Sequence, residues 1–199
     1  MNTLTPKRQI TRTRLIEAGT EVFAREGVLG ATTREIARVA GVNEVTLFRY
    51  FPNKEELLAA VIEGVSARQV AILSERVEWT GEVEPDIRAF AHLYNTMLED
   101  NEALIRTFIG EAKRYPEAAR RILVEAAAPL RERLVFYLRE AIKRGTVRRD
   151  IKPKLAVDLF AGTLLAGMLR RTLNTNSLGY SPEDYLETSI TFFCRAITE

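Results

Sequence analysis

Side chains able to hydrogen-bond DNA bases and phosphates recur between residues 33 and 54 of this 199-residue chain. An arginine can bond two acceptors on one base, a threonine or carboxylate can bond a single base edge, and a lysine can pair with phosphate. The stretch from Thr32 to Leu58, TTREIARVAGVNEVTLFRYFPNKEELL, has the pattern of a short helix, a tight turn, a second short helix and the start of a third. This pattern is typical of a helix-turn-helix, which places its second helix in the DNA major groove.

Capping residues delimit the elements that would position these side chains. Thr32 and Glu35 stand at the spacing of a capping box, which satisfies free backbone N–H groups at a helix start. Gly41 suits the left-handed end of that helix. Asn43 can cap the second helix, predicted from about Glu44 to Phe51. Two short helices cannot bury a core alone, so we expect them to present their outer face from a larger helical neighbour.

At these residues the chain resembles the TetR family of bacterial transcriptional regulators. The resemblance lies in GVNEVTLFRYFPNKEELL, preceded by TTREIARVA, and extends over about fifty residues. It implies a three-helix DNA-binding domain over residues 1–53 and a helical ligand-binding and dimerisation domain over residues 54–199. The predicted fold class is therefore all-α: an N-terminal helix-turn-helix domain followed by a helical bundle, with about nine helices in all.

Carried over by position, the resemblance assigns DNA contacts to individual residues. Those expected at base edges are Arg34, Glu44, Val45 and Thr46. Those expected near the DNA backbone are Thr33, Phe48, Tyr50 and Lys54, and Asn43 and Arg49 complete the predicted set. The family usually has tyrosine where this chain has Phe48, so a phosphate-bonding hydroxyl is lost, although Phe48 can touch a thymine methyl. The alternative for Arg34 is a phosphate contact or a solvated side chain, and for Arg49 it is a surface salt bridge.

Charge is distributed as a DNA-facing N-terminal region requires. The net charge of the whole chain is only +2, but up to Glu55 the chain has nine Lys and Arg against six Asp and Glu. A basic excess on one part of a protein favours contact with phosphates. Further candidate phosphate contacts at the start of the first helix are Lys7, Arg8, Arg12 and Arg14, unless this end is frayed and solvated.

Catalysis and metal binding have little support in the sequence. The chain has one histidine and one cysteine, His92 and Cys194, far apart, and no pattern typical of a zinc protease, a P-loop or a dinucleotide site. We therefore expect no enzymatic activity, no cofactor and no metal. A lone cysteine, and the lack of an apolar run long enough to span a bilayer, favour a cytoplasmic protein.

The second domain would hold the effector and the dimer interface. Candidate ligand-binding residues are Phe90, Tyr94, Met97, Phe108 and Tyr137, and plain core packing is the alternative for each. Pro129 is expected to interrupt a helical pattern that runs over residues 117–144. The first of the last two helices carries small residues on adjoining turns, including Gly167, which favours close helix packing between subunits. Candidate dimer residues are Gly162, Ala166, Leu169, Ile190 and Phe193, the alternative being an intrachain core.

Together these features predict a ligand-responsive transcriptional regulator, most often a repressor. As a homodimer it would bind a palindromic operator in double-stranded DNA, and a small-molecule effector would release it. One alternative is an enzyme with a catalytic helical domain. Another is a regulator that responds to a protein partner or acts without any ligand.

Overall fold

The computed structural model describes residues 6–64, 79–125, 127–171 and 179–198. All regular elements within these ranges are helical, which confirms the all-α prediction. In chain order they are α1 (Pro6–Gly30), α2 (Thr33–Val39), α3 (Glu44–Tyr50), α4 (residues 54–64), α5 (Val83–Asp100), α6 (Glu102–Glu111), α7 (Pro116–Arg120), a π-helical turn (Arg121–Glu125), α8 (Ala128–Arg144), α9 (Pro153–Arg170) and α10 (Pro182–Thr198). No helix in the described ranges is both long and apolar enough to cross a membrane.

The helices form two compact units. The first takes in Met1–Arg68 and Ala103–Ala126, and the second takes in Gln69–Glu102 and Ala127–Glu199. The first unit is therefore built from α1 to α4 together with α6, α7 and the π-helical turn. The stretch Ala103–Ala126, which the sequence assigned to the second domain, is grouped with the N-terminal helices, and its α6 bonds to α1.

The first unit has an apolar core drawn from all of its N-terminal helices. Leu47, the inward residue of α3, is fully buried, and Phe51 closes that helix at a buried position. Other fully buried side chains of this core are Leu15, Val22, Phe23, Ile36, Leu57 and Val61. Leu47 is the only buried residue within α3, and its other side chains are half-buried or exposed.

Helix α1 is broken near its end. Gly27 has φ 72° and ψ 174°, a left-handed conformation that essentially only glycine adopts without strain. The carboxylate of Glu111, on α6, occupies the space beside it and accepts a hydrogen bond from Val28 N at 2.9 Å. Thr107 Oγ1, one turn earlier on α6, donates to Ala24 O at 3.0 Å. Two side chains of α6 thus bond to the α1 backbone on either side of the break.

The second unit consists of α5, α8, α9 and α10 packed around one core. Its fully buried members include Ile87, Phe90, Leu134, Leu138 and Ile190. Pro129 lies in the first turn of α8, where a proline is tolerated because its missing N–H would be unbonded anyway. The helical pattern over residues 117–144 is accordingly interrupted, as predicted.

Candidate nucleic-acid interface

Both helices of the helix-turn-helix begin with a side-chain cap. Thr32 Oγ1 accepts a hydrogen bond from Glu35 N at 3.1 Å, and Asn43 Oδ1 accepts one from Thr46 N at 2.7 Å. Gly41 has φ 65° in the turn between them. Arg14 Nη2 donates to Ala40 O at 2.5 Å, and a Cβ added at Gly41 would lie 2.7 Å from the same Nη2 atom. The turn therefore needs glycine for its conformation, and a side chain there would displace the Arg14 guanidinium.

Arg14 thus has a structural role that the sequence did not indicate. Its guanidinium caps the carbonyl end of α2, where a cation is favourable. Arg12 also packs inward, with its guanidinium 5.4 Å from the centre of the Phe51 ring. Arg8 is exposed, and the side chain of Lys7 lies outside the described residues. Among the described residues, Arg8 is therefore exposed and without the inward contacts that Arg12 and Arg14 make, which fits a phosphate contact.

Helix α3 turns an apolar and cationic face to the outside. Val45 is 72% exposed and Phe48 is 46% exposed, both unusually open for apolar side chains. Arg49 is exposed as well, and Tyr50 is half-buried. With Leu47 buried, these residues form the outer face expected of a recognition helix.

The polar residues around the start of α3 bond to one another. Thr33 Oγ1 donates to Glu44 Oε1 at 2.6 Å, and Thr46 Oγ1 lies 2.7 Å from Asn43 Oδ1. Glu44, predicted to contact a base, is therefore hydrogen-bonded to Thr33, which is predicted to contact the DNA backbone. The side chain of Arg34 is exposed and makes no ion pair or hydrogen bond with the other described residues.

An ion-pair network joins α1 and α2. Glu35 bonds to Arg38 at 2.7 Å and to Arg25 at 3.0 Å. The hydrogen bond from Arg38 and the charge of both guanidinium groups lower the pKa of Glu35, so that carboxylate stays ionised at neutral pH. The Glu35 carboxylate offsets part of the positive charge of Arg25 and Arg38. Arg34 and Arg49 therefore contribute more to the positive potential of the surface.

Lys54 has a second role that the sequence did not indicate. Its Nζ donates to Val28 O at 2.6 Å and to Ala31 O at 3.1 Å, two carbonyls at the end of α1. The ammonium therefore caps the last turn of α1 with two of its three N–H groups. A lysine 23 and 26 positions away from its acceptors leaves no local sequence signal for such a cap.

The predicted ligand-binding residues are divided between the two units. Phe90, Tyr94, Met97 and Tyr137 lie in the second unit and are all buried, whereas Phe108 belongs to the first unit. Burial raises the pKa of Tyr94 and of Tyr137, and the nearby Asp86 carboxylate adds to the effect at Tyr137. Their burial fits core packing as well as a ligand site.

Trp79, the only tryptophan, stacks on Tyr137 with 4.4 Å between ring centres. The loop that follows it is fixed by Asp86, whose carboxylate accepts bonds from Thr80 N at 2.8 Å and Gly81 N at 2.9 Å. This loop, α5 and α8 therefore meet around one aromatic pair. Fluorescence emission from the Trp79 indole should therefore change when the surroundings of Tyr137 change.

The predicted dimer residues have different surroundings. Gly162 is exposed, and no atom within the described residues lies within 4 Å of a Cβ added there. Ala166 and Leu169 are half-buried, and Phe193 stacks on Phe160 at 4.1 Å. Ile190, by contrast, is fully buried in the core of its own chain, so it has no surface to offer a partner.

Gly167 corrects part of the small-residue argument. A Cβ added there would lie 2.8 Å from two ring carbons of Tyr185, a residue of α10 in the same chain. Its close packing is therefore intrachain. The large apolar side chains that are most exposed on these helices were not predicted from the sequence: Leu155 is 55% exposed, Leu159 is 65% exposed and Phe192 is 66% exposed.

Within the described residues, His92, Glu183 and Glu187 have ligand atoms within 4.8 Å of one another, a spacing that a metal ion could use. Glu187 is bonded to the Arg88 guanidinium and lies 3.1 Å from His92 Nε2. Arg88, and to a lesser degree His92, lowers the pKa of Glu187. Since arginine already balances this carboxylate, the group serves first as an ion-pair link between α5 and α10.

Comparisons with known proteins agree with this geometry. Residues 15–61 match the family described as "Bacterial regulatory proteins, tetR family", and residues 77–177 match "Tetracyclin repressor-like, C-terminal domain". The chain is 26% identical to the HTH-type transcriptional regulator UidR of Escherichia coli over 168 residues, which is 82% of this chain and 85% of UidR. It is 25% identical to the nucleoid occlusion factor SlmA of Marinobacter nauticus over 191 residues, 92% of this chain and 94% of SlmA.

Among solved structures, the fold is similar to that of FadR from Bacillus subtilis, a transcriptional regulator crystallised with stearoyl-CoA. The TM-score is 0.71 at 19% sequence identity, over 93% of this chain and 98% of FadR. The helix-turn-helix, the exposed outer face of α3 and the two family matches lead to one conclusion: this chain belongs to the TetR family, and it is a DNA-binding transcriptional regulator rather than an enzyme.

Proposed function

We propose that this protein is a homodimeric repressor that binds a palindromic operator through α3 and is released by a small-molecule effector. The observation that carries the proposal is the outer face of α3, where Val45, Phe48 and Arg49 are exposed on a helix capped by Asn43. Arg34, Arg49 and the third N–H of Lys54 would supply contacts to DNA. The cytoplasm, where the operator lies, is the proposed site of action.

A dimer is supported by an apolar row along α9. Leu155, Leu159, Gly162, Ala166 and Leu169 follow one another at intervals of four, three, four and three residues. This is the spacing of a helix seam that packs against another helix. On α10, Phe192 adds a second large exposed apolar side chain. Exposed apolar patches of this kind mark protein–protein contacts, and a second copy is the occupant that a helix-turn-helix regulator requires.

Dimerisation would give the operator its symmetry. A two-fold axis repeats α3, and recognition helices in successive major grooves on one side of the duplex are about 34–36 Å apart. Two half-sites would therefore be inverted repeats separated by one helical turn. An effector that favours a conformation with another separation would weaken DNA binding, and by linkage DNA would weaken effector binding equally.

The effector is proposed to be a mostly apolar molecule held in the second unit. The aromatic and apolar residues buried there, including Phe90, Tyr94 and Tyr137, are typical of a site for such ligands. FadR of Bacillus subtilis was crystallised with stearoyl-CoA, an amphiphile with a long apolar chain. For this chain we propose a mostly apolar effector, without assigning it to the acyl-CoA class.

Selection of bound sequences from a random DNA pool, at one fixed moderate salt concentration, tests DNA recognition. The expected result is an enriched inverted repeat. Enrichment of a single unrepeated half-site would contradict the dimer on DNA, and no enrichment would contradict the operator itself.

Sedimentation tests the dimer face. Leu159→Glu should shift the protein from dimer to monomer, because a charge would be buried in the seam. Phe136→Glu is the matched control, since Phe136 is equally exposed but lies on α8. Gly162→Leu should also weaken the dimer. An intact dimer for both α9 variants would place the interface elsewhere.

Emission from Trp79 tests for an effector. Compounds that change this emission should also release the selected operator at matching concentrations. A regulator without a small ligand is the alternative, and the nucleoid occlusion factor SlmA among the relatives gives it some weight. A library of apolar amphiphiles that neither alters the emission nor releases DNA would favour that alternative.

A further inference from the structure

The outer face of α3 is apolar where a recognition helix most often carries polar groups. Val45 and Phe48 are three residues apart, so they lie on the same side of the helix. With Val45 72% exposed, almost none of its side chain is used in folding. On a helix proposed to enter the DNA groove, an exposed apolar pair of this kind is available for contact with a partner.

The polar groups next to this pair are already bonded within the protein. Thr46 turns its hydroxyl toward Asn43 Oδ1 at 2.7 Å, so this hydroxyl is already bonded within the protein. Glu44 Oε1 accepts from Thr33 Oγ1 at 2.6 Å, so one of its two oxygens is occupied. The most exposed side chains of α3 are therefore the apolar Val45 and Phe48 together with Arg49.

In the major groove, only thymine presents an apolar group among the four standard bases, its C5 methyl. We infer that α3 selects its operator largely by burying thymine methyl groups against Val45 and Phe48. This inference rests on the proposed insertion of α3 into the major groove. It makes thymine methyls the main specificity determinant, ahead of hydrogen bonds from Arg34 or Glu44.

The helix geometry restricts where these thymines stand. Three residues of α-helix advance about 4.5 Å along the axis, and one base step advances about 3.4 Å. Val45 and Phe48 therefore reach methyl groups on adjacent base pairs or on base pairs two steps apart. Each half-site should hold two thymines within a three-base-pair window, on either strand.

Deoxyuridine substitution tests the inference directly, because it removes the methyl group and leaves every hydrogen-bonding atom of thymine in place. Each thymine of the selected operator is replaced in turn, in both half-sites at once. At the two contacted positions, binding should weaken about fourfold per half-site, or about fifteenfold for the dimer, as for the loss of one buried methyl-sized group. The other thymines should tolerate the change.

Variants then assign each methyl to a side chain. Val45→Ala should weaken binding to the thymine operator and lose its sensitivity to deoxyuridine at one position, and Phe48→Ala should do so at the other. Leu29→Ala is the matched control, since Leu29 is also exposed and apolar but lies at the end of α1. It should bind normally and keep the full deoxyuridine profile.

The possible failures can be told apart. A selected operator whose binding is unaffected by deoxyuridine at every thymine overturns the inference while the proposed regulator stands. So does an operator without paired thymines in its half-sites. A protein with no sequence preference overturns both, and the apolar pair would then belong to a protein contact.

Discussion

Replacing Lys54 by methionine tests whether the end of α1 depends on a cap from a distant lysine. Methionine keeps most of the apolar stem and removes the ammonium, so Val28 O and Ala31 O lose their donor. A hydrogen bond to a charged group contributes about 1.5–3 kcal/mol. Lys54 is only half-buried, and Leu29 and Gly30 beside the acceptors are exposed, so water can replace part of the loss.

We therefore expect the free energy of unfolding to fall by about 1–3 kcal/mol for Lys54→Met. For a chain of this length the melting temperature, followed by circular dichroism, should drop by about 3–9 °C. Lys113→Met is the matched control, because Lys113 is exposed in the turn after α6 and should melt like the parent. A Lys54→Met melting temperature equal to that of the control would refute the capping role and leave Lys54 as a DNA contact alone.

Three further predictions concern other parts of the chain. Arg49→Ala should leave stability unchanged but make the salt dependence of operator binding shallower by about 0.9 per protomer, and an unaltered slope would exclude a phosphate contact. Gly27→Ala should lower the free energy of unfolding by about 1–3 kcal/mol, because a residue with a side chain is strained at φ 72°; Gly110→Ala, with open space around it, is the control. Glu187→Gln should remove part of the acid sensitivity of folding. Arg88 lowers the pKa of Glu187, so the stabilisation is present above the unfolded pKa of about 4.3 and is lost as pH falls through the lower folded value. The melting temperatures of variant and parent should therefore differ at pH 7 and converge in acid.

Local signals in the sequence predicted the helix-turn-helix well. Caps formed by Thr32 and Asn43, the left-handed Gly41 and the inward Leu47 all depend on neighbours within four residues. Such interactions are fixed by spacing along one helix, and spacing is what a sequence displays directly.

The missed features depend on contacts between residues far apart in the chain. Lys54 caps a helix that ends more than twenty residues earlier, and Glu111 bonds to Val28 across 83 positions. The packing of α6 with the first unit has the same origin. Gly162 and Gly167 look alike in sequence, yet one is open and the other touches Tyr185, because neighbouring helices decide what a glycine meets.

In α3, the residues that stabilise the helix differ from those on its outer face, and this affects how the regulator could change its operator sequence. Folding of the helix depends on Leu47, the Asn43 cap and the Phe51 end, whereas Val45, Phe48 and Arg49 contribute little to the core. Substitutions at the three outer positions should therefore alter operator choice with little loss of stability. A gene duplicate could acquire a new operator through such changes one at a time, and a designer could retarget the protein by the same route.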